Sequence, residues 1–170
     1  MPLIHNTYGK GRVRVMRVHR DGDRNEVREL TVHTMLDGDF GASFTAGDNR
    51  QVVATDTIKN IAYIVARENM QACAEDYGQA LAARFLDRYP QVERARVTLH
   101  ETRWTRASFG GAPHPHSFVL DANGKPTVQV EAPRGGAMAV TSGIAGYTFM
   151  KSTASGWVDY VMDEYTTLPE

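Results

Sequence analysis

The stretch VVATDTIKN, residues 52–60, places a hydroxyl and a carboxylate, Thr55 and Asp56, where an apolar run gives way to a helical pattern. A helix that begins at such a junction has backbone N–H groups without intrahelical partners. Together with the threonine hydroxyl, those N–H groups could hold a polar ring at the positive end of the helix. Alternatively, Asp56 or Thr57 accepts one of them and simply caps the helix. The residues alone support the ligand site and the cap equally.

Two other groups of residues invite a chemical interpretation, but a structural role is favoured for both. Gly9-Lys10-Gly11 has the composition of a phosphate loop, yet it precedes a strand, and a phosphate cradle needs a helix N-terminus. Lys10 is therefore interpreted as a solvated lysine. His114-Pro115-His116 puts two imidazoles on one side of an extended chain, where they could bind a metal. No third ligand follows nearby, so a hydrogen-bonding role is favoured and no metal site is predicted.

Length and composition predict one globular protein in a reducing compartment. The chain has 170 residues, of which 42% are hydrophobic, enough for a single core. Its formal net charge of −1 gives no basic field for nucleic acid or anionic lipid, and no apolar run approaches membrane-spanning length. The single cysteine, Cys73, excludes an internal disulfide. We therefore expect a cytoplasmic protein that binds neither nucleic acid nor membranes.

The periodicity of apolar residues predicts two strands, two helices and then further strands. Strand-like alternation flanks the turn Asp21-Gly22-Asp23, so residues 11–36 are predicted to form a hairpin. Residues 38–48, which include three glycines, are interpreted as a loop. The later elements are predicted as helices from 56 and over 72–89, strands over 92–106, 117–120, 127–131 and 137–141, and an extended piece over 143–151.

Each predicted helix carries an apolar stripe. In the first helix the stripe consists of Ile58, Ile61, Ala62 and Val65, and in the second every fourth residue from Tyr77 to Tyr89 is large and apolar. Helices grouped between strands indicate an α+β fold, with both helices on one face of an antiparallel sheet. The other face of that sheet is then polar or faces a partner.

Six motifs, taken together, resemble urate oxidase (uricase) from Tyr8 onward. They are YGK at 8–10, VVATDTIKN at 52–60, RWTR at 103–106, PHPHSF at 113–118, KSTASGW at 151–157 and DEYTTL at 163–168. They occur in the order and at the spacing of that family. The resemblance implies a tunnelling fold (T-fold), an antiparallel sheet with two helices on one face, whose subunits assemble into a barrel. It also implies cofactor-free oxidation of urate by O₂ to 5-hydroxyisourate and H₂O₂ in purine degradation, without a metal.

The resemblance also implies roles for five residues. The family's catalytic lysine and threonine fall on Lys10 and Thr55, which in the family form a proton relay with a histidine. Asp56 falls on a substrate-contacting position, which acts through its backbone N–H, and Leu168 on a position that lines the pocket. Trp157 stands where the family has a phenylalanine that stacks on the planar substrate, and the larger indole keeps a flat face. On this interpretation the Thr55-Asp56 pair both caps the helix and faces the ligand.

Uricase chains are roughly twice as long as this one, so the resemblance covers their N-terminal half. The family's substrate-clamping arginine, its glutamine, its asparagine and its relay histidine fall beyond residue 170. Residues 1–135 are predicted to be the tunnelling-fold domain, and 136–170 the start of a second unit or a C-terminal extension, truncated relative to uricases. The chain is then a split subunit that pairs with a C-terminal uricase half, a truncated product, or a half-size protein that forms a homo-oligomer.

Two other functions stay open. The tunnelling fold also hosts enzymes that act on pterin rings, although the ATD and KST motifs here match uricase instead. A catalytically silent purine-binding or structural subunit is the non-enzymatic alternative, because half of the family's site lies outside this sequence.

Overall fold

A computed structural model of the protein describes residues 3–70, 73–121 and 123–167. Within these ranges it has six strands and three helices in the predicted order, strands before and after the helices. The elements are β1 (Tyr8–Asp21), β2 (Arg24–Gly38), α1 (Gly41–Thr45), α2 (Thr55–Asn69), α3 (Ala74–Arg88), β3 (Val92–Phe109), β4 (Ala112–Asp121), β5 (Lys125–Pro133) and β6 (Ala139–Ala145). None of the helices in the described ranges is long and apolar enough to cross a membrane.

The strands form one antiparallel sheet in the order β1-β2-β3-β5-β6, and β4 pairs with the far end of β3. The predicted hairpin is present and longer than expected, since its register runs from the Tyr8–Leu36 pair to the turn. Gly22 turns the chain with a φ of 54°, a left-handed conformation that glycine adopts without steric cost. The α+β class is therefore confirmed.

The core lies between the sheet and the two long helices. The predicted stripe of α2 is buried, and Tyr77, Leu81 and Phe85 of α3 are completely buried against the sheet. The Tyr77 hydroxyl donates a hydrogen bond to the Ala62 carbonyl oxygen (3.1 Å), which joins the two helices. Each large apolar side chain buried in this way contributes roughly 1.5–3 kcal/mol to the free energy of unfolding.

The opposite face of the sheet is polar. Alternation along the strands puts Thr31 and His33 of β2 and Thr98 and His100 of β3 on that face, each half-buried. The His33 and His100 rings lie edge to face, with centroids 5.8 Å apart. Partial burial, followed by the charges of His100 and Arg12, lowers the pKa of His33. Both long helices pack on the other face, so the expectation of a polar second face is confirmed.

Local predictions were wrong in two segments, and the extended piece predicted over 143–151 ends as a strand at Ala145. The segment interpreted as a loop contains the five-residue helix α1, none of whose residues is buried. The break predicted between residues 141 and 143 is absent, because β6 stays hydrogen-bonded to β5 from the Glu131–Ala139 pair to the Lys125–Ala145 pair. Because the backbone of β6 is hydrogen-bonded to β5, the strand continues through Gly143, where the alternation of apolar residues is interrupted.

Residues 146–167, here called the C-terminal segment, contain no helix or strand. Most large apolar side chains of this segment are exposed. They are Tyr147, Phe149, Met150, Trp157, Val158, Val161, Met162 and Tyr165.

Candidate active site

Lys10 lies on the face of β1 that the helices cover. It pairs with Thr34, and further along the strand Val13 pairs with Val32; both partners are buried on the helix-covered face. Two residues that share a face of a regular strand are an even number of positions apart, but Lys10 and Val13 are an odd number apart. An extra residue must therefore lie between them. A β-bulge between Lys10 and Val13 supplies it, and Arg12 there has a φ of 56°. The bulge therefore turns Lys10 toward the helices.

Gly9 lets β1 come close to β2 beside Lys10. A Cβ atom at Gly9 would lie 1.9 Å from the Thr34 carbonyl oxygen and 2.8 Å from the Met35 Cα atom. No real side chain tolerates such contacts with the backbone. The glycine of the YGK motif thus serves strand packing, and the phosphate-loop interpretation has no support.

The start of α2 corrects the predicted cap. Ala54 is the N-cap residue, with extended backbone angles (φ −53°, ψ 137°), and its side chain accepts no hydrogen bond. The prediction that Asp56 or Thr57 caps the helix was wrong, because the helix already begins at Thr55. Asp56 lies in the first turn, where its carboxylate reaches forward to the ammonium group of Lys59. The backbone N–H groups of this turn are consequently not occupied by a capping side chain.

Lys10 acts electrostatically on this end of α2. A hydrogen bond from Lys59, the charge of Lys59, a hydrogen bond from Asn60 and the charge of Lys10 together hold the pKa of Asp56 below its usual range. Thr55 and Asp56 are both exposed, and Lys10 is partly buried. The structure thus brings the predicted lysine to the same end of the molecule as the Thr55-Asp56 pair.

A hydrogen-bonded tyrosine links the two parts of this site. The Tyr8 hydroxyl accepts a hydrogen bond from the Val53 N–H (2.7 Å) and donates one to the Val53 carbonyl oxygen (3.1 Å). Its ring packs edge to face against Phe40, with centroids 4.7 Å apart, and burial raises its pKa. Sequence reasoning did not assign Tyr8 a role, because a contact between residues 45 apart leaves no periodic signal.

The other predicted residues are not brought to this site. Trp157 is 74% exposed in the C-terminal segment, and within the described part of the chain it makes no hydrogen bond or ring contact with Lys10, Thr55 or Asp56. Leu168 lies outside the described residues.

The two imidazoles of the PHPHSF motif face one another on β4. The rings of His114 and His116 are 4.6 Å apart between centroids, and the His116 N–H donates a hydrogen bond to His114 Nδ1 (3.3 Å). This is the hydrogen-bonding role that the sequence favoured. In the described ranges, no group of three or more His, Cys, Asp or Glu side chains has a geometry that could hold a metal ion.

The groups at this end of the molecule are suited to proton transfer on an anionic or polar ring. An amine and a hydroxyl can pass a proton between them, and the first-turn N–H groups of a helix attract negative charge. Thr55 and Asp56 are open to solvent. A flat ligand held here therefore needs contacts from a second surface.

A family model described as Uricase matches residues 6–131, a range that contains Lys10, Thr55 and Asp56. The chain belongs to the uricase family. Its tunnelling fold agrees with this membership: the crystal structure of uricase from Arthrobacter globiformis matches with a TM-score of 0.83 and 38% sequence identity, covering 99% of this chain and 56% of that one.

Curated uricases match over the same half. The uricase of Aspergillus flavus is 41% identical over 165 residues, which is 96% of this chain and 55% of that protein. The uricase of Arabidopsis thaliana is 40% identical over 171 residues, covering 98% of this chain and 55% of the relative. This member of the uricase family thus matches the N-terminal half of its relatives and spans about half of their length.

Proposed function

We propose that this chain is the lysine- and threonine-bearing half of a urate oxidase. With its complement it oxidises urate by O₂ to 5-hydroxyisourate and H₂O₂ in purine degradation, without a cofactor. The observation that carries this proposal is the position of Lys10, whose charge acts on Asp56 in the first turn of α2, inside the range that the uricase model matches. The polar ring expected at the start of α2 is then urate.

The proposed chemistry begins with a proton transfer. Lys10, in its neutral form, takes a proton from urate through the Thr55 hydroxyl or a water. A lysine amine accepts a proton only in its neutral form, which burial and nearby positive charge favour in proteins generally. The first-turn N–H of Asp56 donates to the urate anion, whose negative charge the positive end of α2 stabilises.

The electron-rich anion then reduces O₂. Urate gives up two electrons, O₂ takes them together with two protons to become H₂O₂, and the oxygen of one water is added to the purine as the hydroxyl of 5-hydroxyisourate. In this scheme Lys10 and Thr55 move protons, while the substrate itself supplies the electrons.

The second surface of the site is proposed to come from a C-terminal uricase half. That half is either a separate polypeptide or part of an oligomer built around a tunnel, and it supplies the clamping arginine and glutamine. β1 and β6 are the outer strands of the sheet, so their outer edges are available for pairing with another chain. The exposed apolar side chains of the C-terminal segment give such a partner an apolar surface.

The roles of Trp157 and Leu168 follow from the same assembly. We place the Trp157 indole on the face of urate and Leu168 in the pocket wall once the C-terminal segment packs on its partner. Residues 136–170 would then belong to the second unit or an extension of the first, although β6 is hydrogen-bonded to β5. A cytoplasmic location stays a prediction that rests on the single cysteine.

The test is a urate turnover assay on the purified chain. The fall in the ultraviolet absorbance of urate and the release of H₂O₂ are measured without added metal, with and without the C-terminal half of the Aspergillus flavus relative. We expect turnover only in the mixture, with one H₂O₂ formed for each urate consumed. A mixture that binds urate without consuming it would contradict the proposal and favour a silent purine-binding subunit.

A further inference from the structure

Tyr8 and Val53 occupy equivalent places relative to the two proposed catalytic groups. Tyr8 precedes Lys10 by two residues on β1, and Val53 precedes Thr55 by two residues before α2. Tyr8 and Lys10 share one face of the strand, because the β-bulge lies beyond Lys10. A change in the separation between Tyr8 and Val53 therefore moves the backbone of Lys10 relative to the backbone of Thr55.

The chain that leads to α2 is fixed to the rest of the molecule at only a few points. Between β2 and Val53 it forms the short helix α1, none of whose residues is buried, and exposed turns. Its anchors there are the buried ring of Phe40 and the Gln91 side chain, which donates to the Gln51 carbonyl oxygen (2.9 Å). Val53 itself is buried, with 4% of its surface exposed, and both of its backbone polar groups bond the Tyr8 hydroxyl. Buried backbone groups that lose such a partner are costly, so the contact is strongly favoured.

Tyr8 is in turn held rigidly in the sheet. Its ring packs against Phe40, and the backbone on either side of it is fastened to β2. On one side the Thr7 hydroxyl donates to the Leu36 carbonyl oxygen (3.3 Å), and on the other side Gly9 packs against β2 without room for a side chain. A rigid side chain with two hydrogen bonds at its tip acts as a spacer of constant length.

We propose that Tyr8 is a positioning residue whose hydroxyl sets the separation between the Lys10 amine and the Thr55 hydroxyl. Its consequence for catalysis rests on the proposed function: loss of the hydroxyl slows proton transfer and lowers kcat, while urate affinity, which other groups supply, changes little. A misplacement of about 1 Å between reacting groups can cost roughly a hundredfold in rate.

The positional part of the proposal is tested on the chain alone by NMR titration of Asp56. In the parent, Lys10→Met removes one of the positive charges that act on Asp56, so the pKa of Asp56 rises. Lys59 and Asn60, which also act on Asp56, are unchanged in every variant. In a Tyr8→Phe background the lysine is no longer held near Asp56, and Lys10→Met should shift that pKa less than it does in the parent.

Tyr77→Phe is the matched control. It also removes a tyrosine hydroxyl that bonds a backbone carbonyl, but this hydroxyl bonds Ala62 in the middle of α2 and not Val53 before the start of the helix. In this background Lys10→Met should shift the Asp56 pKa as much as in the parent. Equal shifts in the Tyr8→Phe and parent backgrounds would overturn the proposal, whatever the turnover assay gives.

The catalytic part is tested on the complemented enzyme. Tyr8→Phe should lower kcat by about tenfold or more with little change in KM, and Tyr77→Phe should change neither. An unaltered kcat for Tyr8→Phe would overturn the catalytic role of Tyr8. If the parent mixture shows no turnover while the Asp56 titration behaves as expected, the proposed function fails and the positioning of Lys10 by Tyr8 stands.

Discussion

Two regions of the molecule differ in what they do with similar side chains. The sheet with its two long helices buries them, whereas the C-terminal segment leaves them exposed. Tyr77 and Phe85 are completely buried where α3 meets the sheet, whereas Phe149 and Met150 are 77% and 90% exposed. Burial of such side chains stabilises a fold, and their exposure costs free energy unless another surface covers them. The first region thus forms a hydrophobic core of its own, and it holds Lys10, Thr55 and Asp56. The second region leaves its large apolar side chains exposed, and it holds Trp157.

The largest effect is expected when the proposed base, Lys10 in the first region, is removed. Lys10→Met should lower turnover of the complemented enzyme by roughly 10²–10⁴-fold, because it removes the group that accepts the proton. The far-ultraviolet circular dichroism and thermal midpoint should be unchanged, since Lys10 contributes little packing. Lys125→Met, at an exposed lysine at the start of β5, is the control and should keep full turnover. Parent activity in Lys10→Met would exclude Lys10 as the base.

A pair of phenylalanine substitutions compares the two regions directly. Phe85→Ala should lower the free energy of unfolding by about 3–5 kcal/mol, because it leaves a cavity in the core. Phe149→Ala, in the C-terminal segment, should stay within about 0.5 kcal/mol of the parent chain. Urea denaturation of the isolated chain measures both. Similar losses for the two variants would mean that the segment packs on the chain and does not await a partner.

Alanine substitutions at two glycines, one in β1 and one in β6, test the close approach of β1 to β2 near Lys10. Gly9→Ala should cost about 2 kcal/mol or more, because its Cβ would clash with the Thr34 carbonyl oxygen. Gly143→Ala is the control in β6, where a Cβ meets nothing within 4 Å. It should be neutral or slightly stabilising. Denaturant midpoints that rank the two variants the other way round would contradict the packing described for β1.

Alkaline pH should lower the free energy of unfolding of the sheet and its two long helices, because Tyr77 is buried there. Burial raises the pKa of Tyr77 well above the value near 10 that it has in an unfolded chain. The stability that this group contributes is therefore fully present below pH 10 and is lost as the pH rises further, by up to about 1.4 kcal/mol per pH unit. Tyr77→Phe should flatten this dependence. Parallel stability–pH curves for the parent and Tyr77→Phe would contradict it.

The smallest effect is expected in the C-terminal segment itself. Trp157→Phe restores the ring that the uricase family has at this position, so urate affinity of the complemented enzyme should stay within about threefold of the parent or improve. Isothermal titration under anaerobic conditions, which prevents turnover, measures it. A large loss of affinity would show that the indole N–H or its bulk is needed.

Most of the fold could be predicted because it depends on local periodicity. The stripe from Ile58 to Val65 and the turn at Gly22 are readable from a few neighbouring residues, and both are present. The course of β6 was not predictable in the same way, since its pairing with β5 overrides the interruption at Gly143.

Less of the candidate site could be predicted from the sequence. Spacing alone marked the Thr55-Asp56 pair, but Lys10 was recognised only through the family resemblance. Its orientation depends on a β-bulge, and the strand that carries it is joined to the residues before α2 by the bonds between Tyr8 and Val53. Both are tertiary features. The cap was mispredicted for a smaller reason: the helix begins one residue earlier than the carboxylate suggested.

Whether this chain contributes one half of a urate oxidase site can be measured by a stoichiometric titration. Increasing amounts of a C-terminal uricase half are added to a constant amount of the chain, and the initial rate of urate consumption is recorded. We expect no turnover at the start, a linear rise, and saturation at one added half per chain. Full turnover before any addition, or none at any ratio, would contradict it.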